Sequence, residues 1–569
     1  MVKQKNTPEE IYKQFQKGVG FNTQIDLYET VKTNENFFIG KQWEGVQSNG
    51  LPTPVFNFIK RVVMYLVAST STDNLKISSS PLASTGSLPA TEVEKLCRIV
   101  NAQFVALFEQ NKVSKRIREF MRNSAVDGDG CIYTWFDPDV ETGQTAKGAI
   151  RMEIIENTRV MFGNPNKADV QEQPYIIISR REDVDEVKER AEGDKDSIRP
   201  DTDENNDHFD TIAGDKVTVL TKFWKDKKTG SIWAVEATQN AVIRKAWDTG
   251  LKLYPIVWMP WDYVQNCYHG QAAVTGLIPN QVFVNKAYAM SMISLMTTAY
   301  PKIVYDRTRI SNWSNGVGQA IGVNGGDVSN VAKAIDPATI SPQISEFIAS
   351  AINYTKEFMG ATDAALGDTR PDNTSAIIAL QKASSVPMEI AKQNLFQCIE
   401  DLANIWLDHM REFYGKRYVE LPANNAQPKM PTSLPVGFEA TALEKFMSGE
   451  GPVLFDFETL KDFPLSLKLD VGGSAYWSEI AQMQTLDNLL MQGQIDIVDY
   501  LERVPNGYII NQQELIDKLK AQRAMPAMAP APEAVPAGVM PEATSLAGGS
   551  GYGTLQRKIN ETGEVPPLS

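Results

Sequence analysis

Histidine and cysteine are scarce: the 569 residues hold three histidines, His208, His269 and His409, and four cysteines. Cys97, Cys131, Cys267 and Cys398 lie far apart and form no Cys-x-x-Cys pair. That spacing offers neither a disulfide framework nor the ligand spacing of a structural zinc site, and it reads as reduced, mostly buried thiols. No His-Glu-x-x-His occurs, and no Gly-Lys pair is followed by Ser or Thr, so the zinc-protease and P-loop signatures are excluded. Long hydrophobic runs are missing too. The longest charge-free apolar stretch, Ala287–Tyr300, falls short of the ~20 residues that span a bilayer. The opening MVKQKNTPEEIYKQF is polar and has no signal-peptide core. The expectation is a protein made and kept in a reducing cytoplasm, with no membrane partner. Positive charge is outnumbered, with 56 Lys and Arg against 70 Asp and Glu, a net charge of −14. Sequence-specific nucleic-acid binding usually rests on local basic charge. An acidic chain argues against static DNA wrapping and suits a surface past which DNA slides.

The chain is long enough for several domains. Apolar periodicity predicts a polar helix from Pro8 to about Phe38 and an apolar helix over Val55–Ser69. A Ser/Thr/Pro-rich linker over Ser78–Pro89 and a long helix from about Thr91 to Val126 follow. That helix stops at Asp127-Gly-Asp-Gly130. Strand-like runs come next: Cys131–Phe136, Ala149–Ile155, Tyr175–Ser179, Val217–Trp224, Ser231–Ala237 and Pro255–Trp258. The very polar Glu182–Asp215 interrupts them and reads as a short helix followed by a mobile loop. Two helices are then predicted, over about Gln271–Tyr300 and Ser341–Gly360. The Gly/Asn-rich Pro301–Ile340 separates them and holds a strand at Lys302–Asp306. Ala361–Asn373 is a short polar loop. A third helix runs from Thr374, breaks at Pro387 and resumes to Tyr414. Strands at Arg417–Leu421 and Leu465–Val471 and a small bundle of helices between Glu479 and Arg523 complete the chain. The Pro/Ala/Gly-rich tail from Met525 is expected to be disordered.

The first central helix is the odd one. Ala287–Tyr300 (AYAMSMISLMTTAY) carries no charge and no single polar face, so it must be covered on nearly every side. Neighbouring copies of the chain are the natural cover, along the stripe Ala287, Ser291, Ser294 and Thr298. The second helix is amphipathic. Ile344, Phe347, Ile348, Ala351, Thr355 and Phe358 lie on one side, and Glu346, Ser350, Asn353 and Glu357 on the other.

Other motifs dissolve on inspection. Gly316-Val-Gly318 lacks the strand and helix of a dinucleotide loop and reads as a turn. Asp127-Gly-Asp-Gly130 opens like a calcium loop but has Cys131 at the fifth position and no matching distal Glu. His409 sits on the apolar face of its helix and reads as a packed structural histidine. Trp224, Trp233, Trp247, Trp258 and Trp261 read as sheet core or subunit interface. No catalytic residue, metal ligand or cofactor emerges.

Taken in order, several short motifs resemble the portal proteins of tailed bacteriophages. They are Phe38-Ile-Gly-Lys-Gln-Trp43, Pro54-Val-Phe-Asn57 with its apolar helix, and the Asp127–Gly130 turn. Gly270-Gln271 with Pro279-Asn-Gln281 and Asn285 follow, then Leu366-Gly367-Asp368 through Asn373-Thr-Ser375. The resemblance covers about residues 30 to 525. It implies an α+β portal fold and a ring, usually of twelve subunits, at one capsid vertex, through which the genome is packaged and ejected. On that map residues 1–270 hold the N-terminal helices and an α/β wing. Residues 271–300 and 341–360 are a two-helix stem, 301–340 a small α/β clip and 361–373 a tunnel loop. Residues 374–475 are a long Pro-kinked helix with wing strands, and 476–524 a helical crown. Tunnel-loop residues Asp363, Asp368, Arg370, Asp372 and Asn373 are then expected to meet DNA, with Glu346, Ser350, Asn353 and Glu357 facing the channel. Implied partners are further copies of the chain, the large terminase subunit, major capsid and scaffolding proteins, head-completion, adaptor or tail proteins, and duplex DNA without sequence preference. The implied location is the virion, after assembly in the host cytoplasm. The competing readings are another virion component, such as a tail or connector protein, and a nucleic-acid-processing enzyme using the acidic Glu182–Asp215.

Overall fold

The structure is a computed structural model. It describes residues 6–71, 75–82, 90–144, 146–201, 215–300, 302–314, 316, 319–335, 343–360, 388–421, 451–470 and 476–504, with part of 512–519. The tunnel-loop residues, the break at Pro387 and the Pro/Ala/Gly-rich tail lie outside the described residues. The chain divides into two compact units, residues 1–479 and 480–569.

The first unit mixes helices with antiparallel sheet, the α+β class expected. Helices α1 (Pro8–Gln24) and α2 (Leu27–Ile39) replace the single helix predicted over Pro8–Phe38. Asp26 breaks it by adopting the left-handed region, φ 54°. Helix α3 (Phe58–Thr70) begins where the Asn57 side chain accepts the Lys60 N–H at 3.1 Å. The long predicted helix is likewise two, α4 (Ala90–Gln110) and α5 (Val113–Asp127), split where Lys112 turns left-handed. The predicted Ser78–Pro89 linker is partly strand. β1 (Lys76–Pro81) pairs with β14 (Leu465–Asp470), nearly four hundred residues away.

Two antiparallel sheets follow. The first has order β3-β2-β9, from Ala149–Ile155, Asp129–Asp137 and Ile256–Pro260. The second runs β4-β5-β6-β7-β8, from Val160–Phe162, Ile176–Asp183, Lys216–Lys225, Ile232–Ala237 and Val242–Asp248. Its edge strands β4 and β8 had no counterpart among the predicted strands. β5 shows why the sheet is covered on both sides. Ile176 and Ile178 pack with Trp258, Tyr254 and Tyr268, whereas Ile177 joins Ile11 and Phe15 of α1 on the other face. Helix α6 (Val184–Arg190) buries Val184 and Val187 against the same sheet.

Helix α7 (Ala273–Ala299) and helix α8 (Gln343–Phe358) flank the short pair β10 (Ile303–Tyr305) and β11 (Ala332–Ala334). Helix α9 (Glu389–Phe413) lays Leu395, Cys398, Leu402, Ile405 and Trp406 into the main core, with α3, α4, α5 and the foot of α7. At about 1.5 Å per residue it is close to 40 Å long. Its His409 is buried, with Nδ1 2.9 Å from the Ile405 carbonyl; burial pushes its pKa down, as befits a packed histidine. β12 (Lys416–Leu421) pairs with β13 (Gly451–Asp456), and all four cysteines are free thiols, three of them buried. The second unit takes in most of α10 (Tyr476–Met491) together with α11 (Ile497–Arg503). Val498, Leu501 and Ile516 form its small core, and Tyr500 Oη donates to Asp487 at 2.6 Å.

Candidate functional site

The short motifs that lie within the described residues meet in space at one place, the first half of α7. Asp127 ends α5, and Gly128 follows at φ 103°, its α-carbon so close to the segment leading into α7 that a Cβ would lie 2.8 Å from the Gly270 carbonyl. Asp129, buried at the start of β2, accepts the Gly270 N–H at 2.7 Å through one carboxylate oxygen. The other lies 2.7 Å from His269 Nδ1 and accepts from Asn157 Nδ2 at 3.2 Å. The turn that resembles a calcium loop therefore ties α5, β2 and the entry to α7 together. Its two carboxylates differ in use. Asp129 is fully bonded, while burial pushes Asp127 up to about 8 despite Arg122 nearby.

One to four turns into α7 lies a second polar cluster. Asn34 of α2 donates to the Val126 carbonyl at 2.8 Å and to Thr275 Oγ1 at 2.9 Å. Gln281 is fully buried. Its Nε2 donates to the Phe56 carbonyl at 2.8 Å and to Asn285 Oδ1 at 3.0 Å, and its Oε1 accepts the Ile59 N–H at 3.4 Å. Asn285 Nδ2 donates to Gln42 Oε1 at 2.6 Å. Trp43 Nε1 reaches the Pro54 carbonyl at 2.9 Å, Asn57 Nδ2 caps the Phe38 carbonyl at 2.9 Å, and Phe56 stacks on Tyr288 with ring centroids 4.0 Å apart. Buried amides are costly unless bonded, and here the partners come from α2, the 42–57 segment and the start of α3. The sequence motifs contain Gln42, Gln281 and Asn285. Nothing in them announced that these side chains bond one another, and Asn34 and Thr275 carried no signal at all.

Beyond Lys286 the helix changes character. Ala287 still packs against the core edge, and Ser291 and Ser294 are half-buried, Ser291 Oγ donating back to the Ala287 carbonyl at 2.9 Å. Thr298 is exposed, as are Met290 (66%), Leu295 (66%) and Met296. Helix α8 touches α7 through Asn280 Nδ2 to Thr355 Oγ1 at 3.0 Å and buries Ile348 and Thr355. Of the rest of its predicted apolar face, Ala351 packs half-buried against the main core, while Ile344, Phe347 (67%) and Phe358 (84%) are open. Glu346, Ser350, Asn353 and Glu357 are exposed on α8. The five tunnel-loop residues fall outside the described residues. Among the described residues no group of three or more His, Cys, Asp or Glu is placed to hold a metal, and no helix is long and apolar enough to cross a membrane.

A cavity of about 800 Å³ opens between β9 and α9. Asp401, Asp408, Arg411, Lys252 and Trp258 are among its lining. Asp408 is occupied by the backbone N–H groups of Lys252 and Leu253, at 2.6 and 3.1 Å, and Asp401, pushed up by burial, accepts from Gln397. No nucleophile and base are paired there, so it offers no recognisable reaction centre.

A family model described as phage P22-like portal protein matches residues 13–250 and 226–420. No curated protein matches the chain. Among solved structures, one described as the neck of an empty GTA particle, with C6 symmetry, is similar at 9% identity and a TM-score of 0.30. It covers 61% of this chain and 77% of its own.

Proposed function

This chain belongs to the phage P22-like portal protein family and is a structural component of the virion with a portal function, and we propose from that premise that α7 and α8 wall a ring through which viral duplex DNA passes. The observation that carries the proposal is the open apolar surface of this helix pair. Met290, Leu295, Phe347 and Phe358 are each about two-thirds or more exposed in the single chain. Burying one such side chain contributes roughly 1.5–3 kcal/mol, so leaving four open forfeits several kcal/mol unless a copy covers them. A ring supplies that cover identically at every interface.

On this reading residues 1–270 and 374–475 are the wing, 271–300 and 341–360 the stem, 301–340 the clip, 361–373 the tunnel loop and 476–524 the crown. Glu346 and Glu357 face the channel with Ser350 and Asn353, where carboxylates keep phosphates from adhering. Asp363, Asp368, Arg370, Asp372 and Asn373 contact the moving DNA. The subunit seam includes Ala287, Ser291, Ser294 and Thr298. The chain supplies no packaging energy; that comes from the large terminase subunit docking at the clip, replaced later by head-completion or tail proteins. Twelve subunits, contacts with capsid and scaffolding proteins and assembly in the host cytoplasm belong to the same proposal. The test is direct imaging of the purified protein beside Leu295→Asp combined with Phe347→Asp. The wild type is expected to give ring views with an axial channel wide enough for a duplex, and the double variant folded monomers. Rings in equal yield from both, or a wild type that stays monomeric at high concentration, would overturn the proposal.

A further inference from the structure

The acidic total hides a strongly basic surface. Residues 112–122 hold five Lys or Arg against one carboxylate, Glu119, and α3 holds Lys60 and Arg61 against none. The structure brings these stretches together. Helices α3 and α5 pack side by side in the main core, and the Phe38 ring lies beneath both Lys60 Nζ (5.9 Å) and the Arg122 guanidinium (5.0 Å). Lys60, Arg61, Lys112, Lys115 and Arg118 are exposed, and Arg122 is half-buried beside Glu35. Lys112 at the start of α5 and the exposed Lys115 and Arg118 recur every three residues and form one stripe, which the half-buried Arg122 continues one turn further on. The Lys115–Glu119 pair, 3.4 Å apart and open to solvent, offsets little of this charge.

We propose that the paired faces of α3 and α5 form a second DNA-contacting surface, outside any channel, that tracks the phosphate backbone of a duplex without reading its bases. The stripe from Lys112 to Arg122 spans about 15 Å at 1.5 Å per residue. One strand of a duplex presents a phosphate every ~3.4 Å along its axis, so the stripe faces roughly four of them. Lysine is depleted from protein–protein interfaces, which need an apolar centre, and Met64 is the one large apolar side chain exposed on α3. As a flexible point charge lysine serves phosphate well. Net charge alone argued against static DNA wrapping; the charge is not evenly spread, and this surface is where it reverses. The proposal stands whether or not the ring forms, because both helices belong to one chain.

The experiment uses the full-length protein and covalently closed circular duplex DNA, which cannot thread a closed ring. Binding is followed from about 50 to 200 mM salt for the wild type and for Lys60→Gln, Lys112→Asn and Lys115→Gln combined. Asn suits the left-handed backbone at position 112. Each phosphate contact contributes about 0.9 to the log–log salt slope, so the triple variant should flatten it by about 2–3 and weaken binding tenfold or more at the lowest salt. Unchanged thermal unfolding shows that the variant is folded. Failure of the wild type to bind the closed circle, an unchanged slope in the variant, or an equal loss per residue from Lys227→Gln with Lys228→Gln on the β6–β7 turn would each overturn the proposal. So would tighter binding of polyglutamate than of DNA, which would assign the surface to an acidic protein.

Discussion

Replacing Gln281 by Ala removes the centre of the polar root of α7. Gln281 is fully buried, and its amide spans the Phe56 carbonyl, the Ile59 N–H and Asn285 Oδ1. A typical intramolecular hydrogen bond contributes about 1 kcal/mol net, and a buried group left unbonded costs about 1–3 kcal/mol. Three such bonds, at least two with partners that no solvent reaches, put the loss at about 3–4 kcal/mol. Asn280, one residue earlier, is exposed and makes one bond, to Thr355, so Asn280→Ala should cost about 1 kcal/mol or less. The assay is urea unfolding of the full-length protein under conditions that keep it monomeric, with midpoints compared at constant slope. Gln281→Met separates the two contributions, since it keeps most of the volume and none of the bonds. A Met variant as unstable as the Ala variant assigns the loss to hydrogen bonding. A Gln281→Ala loss no larger than that of Asn280→Ala would refute the reasoning.

Asp127 gives a pH prediction. Its folded pKa, about 8, lies above the unfolded value near 3.9, so the stability it contributes is fully present below pH 4 and is lost as pH rises through about 8. Asp127→Asn should therefore remove up to ~1.4 kcal/mol per pH unit of this slope, and parallel profiles for wild type and variant between pH 5 and 8 would count against it. Gly128→Ala should destabilise by roughly 1–3 kcal/mol, read as a lower urea midpoint. It combines left-handed strain with a Cβ 2.8 Å from the Gly270 carbonyl, and a midpoint within error of the wild type would show that the turn relaxes freely.

Periodicity was enough to read α7, α8 and α9 because each carries its own pattern: a charge-free run, an amphipathic face, or a continuous apolar stripe. Their ends came out within a few residues. The breaks at Asp26 and Lys112 were invisible, since a single left-handed residue leaves no mark on the apolar pattern to either side of it. β1 reads as a linker because Ser78, Ser79 and Ser80 have little strand preference; its pairing depends on β14, far away in the chain. β4 and β11 are three-residue strands held by neighbours, β13 opens on Gly and Pro, and β8 is an edge strand with most of its residues exposed and three of them charged. The motifs at Gln42, Asp129, Gln281 and Asn285 were recognisable by order and spacing. Their meaning as two bonded clusters at the root of α7 needed the chain folded, because the partners in these bonds lie 141 to 243 residues apart.

The two halves of α7 divide the work of fixing it in space. Hydrogen bonds are directional, so the Gln281–Asn285 cluster and the Asp129–Gly270 contact set where the helix starts and which way it points. Apolar contact is not directional, and the outer half from Met290 onward is left to it. An apolar root would bury as much surface but would let the helix rotate or slide, since one packing of Leu and Met differs little from the next. A polar outer half would fix one neighbour's position bond by bond and would leave unsatisfied groups whenever the subunits shifted. A polar, buried root with an apolar, open tip therefore suits a helix whose direction each chain must set alone and whose cover only an assembly can complete.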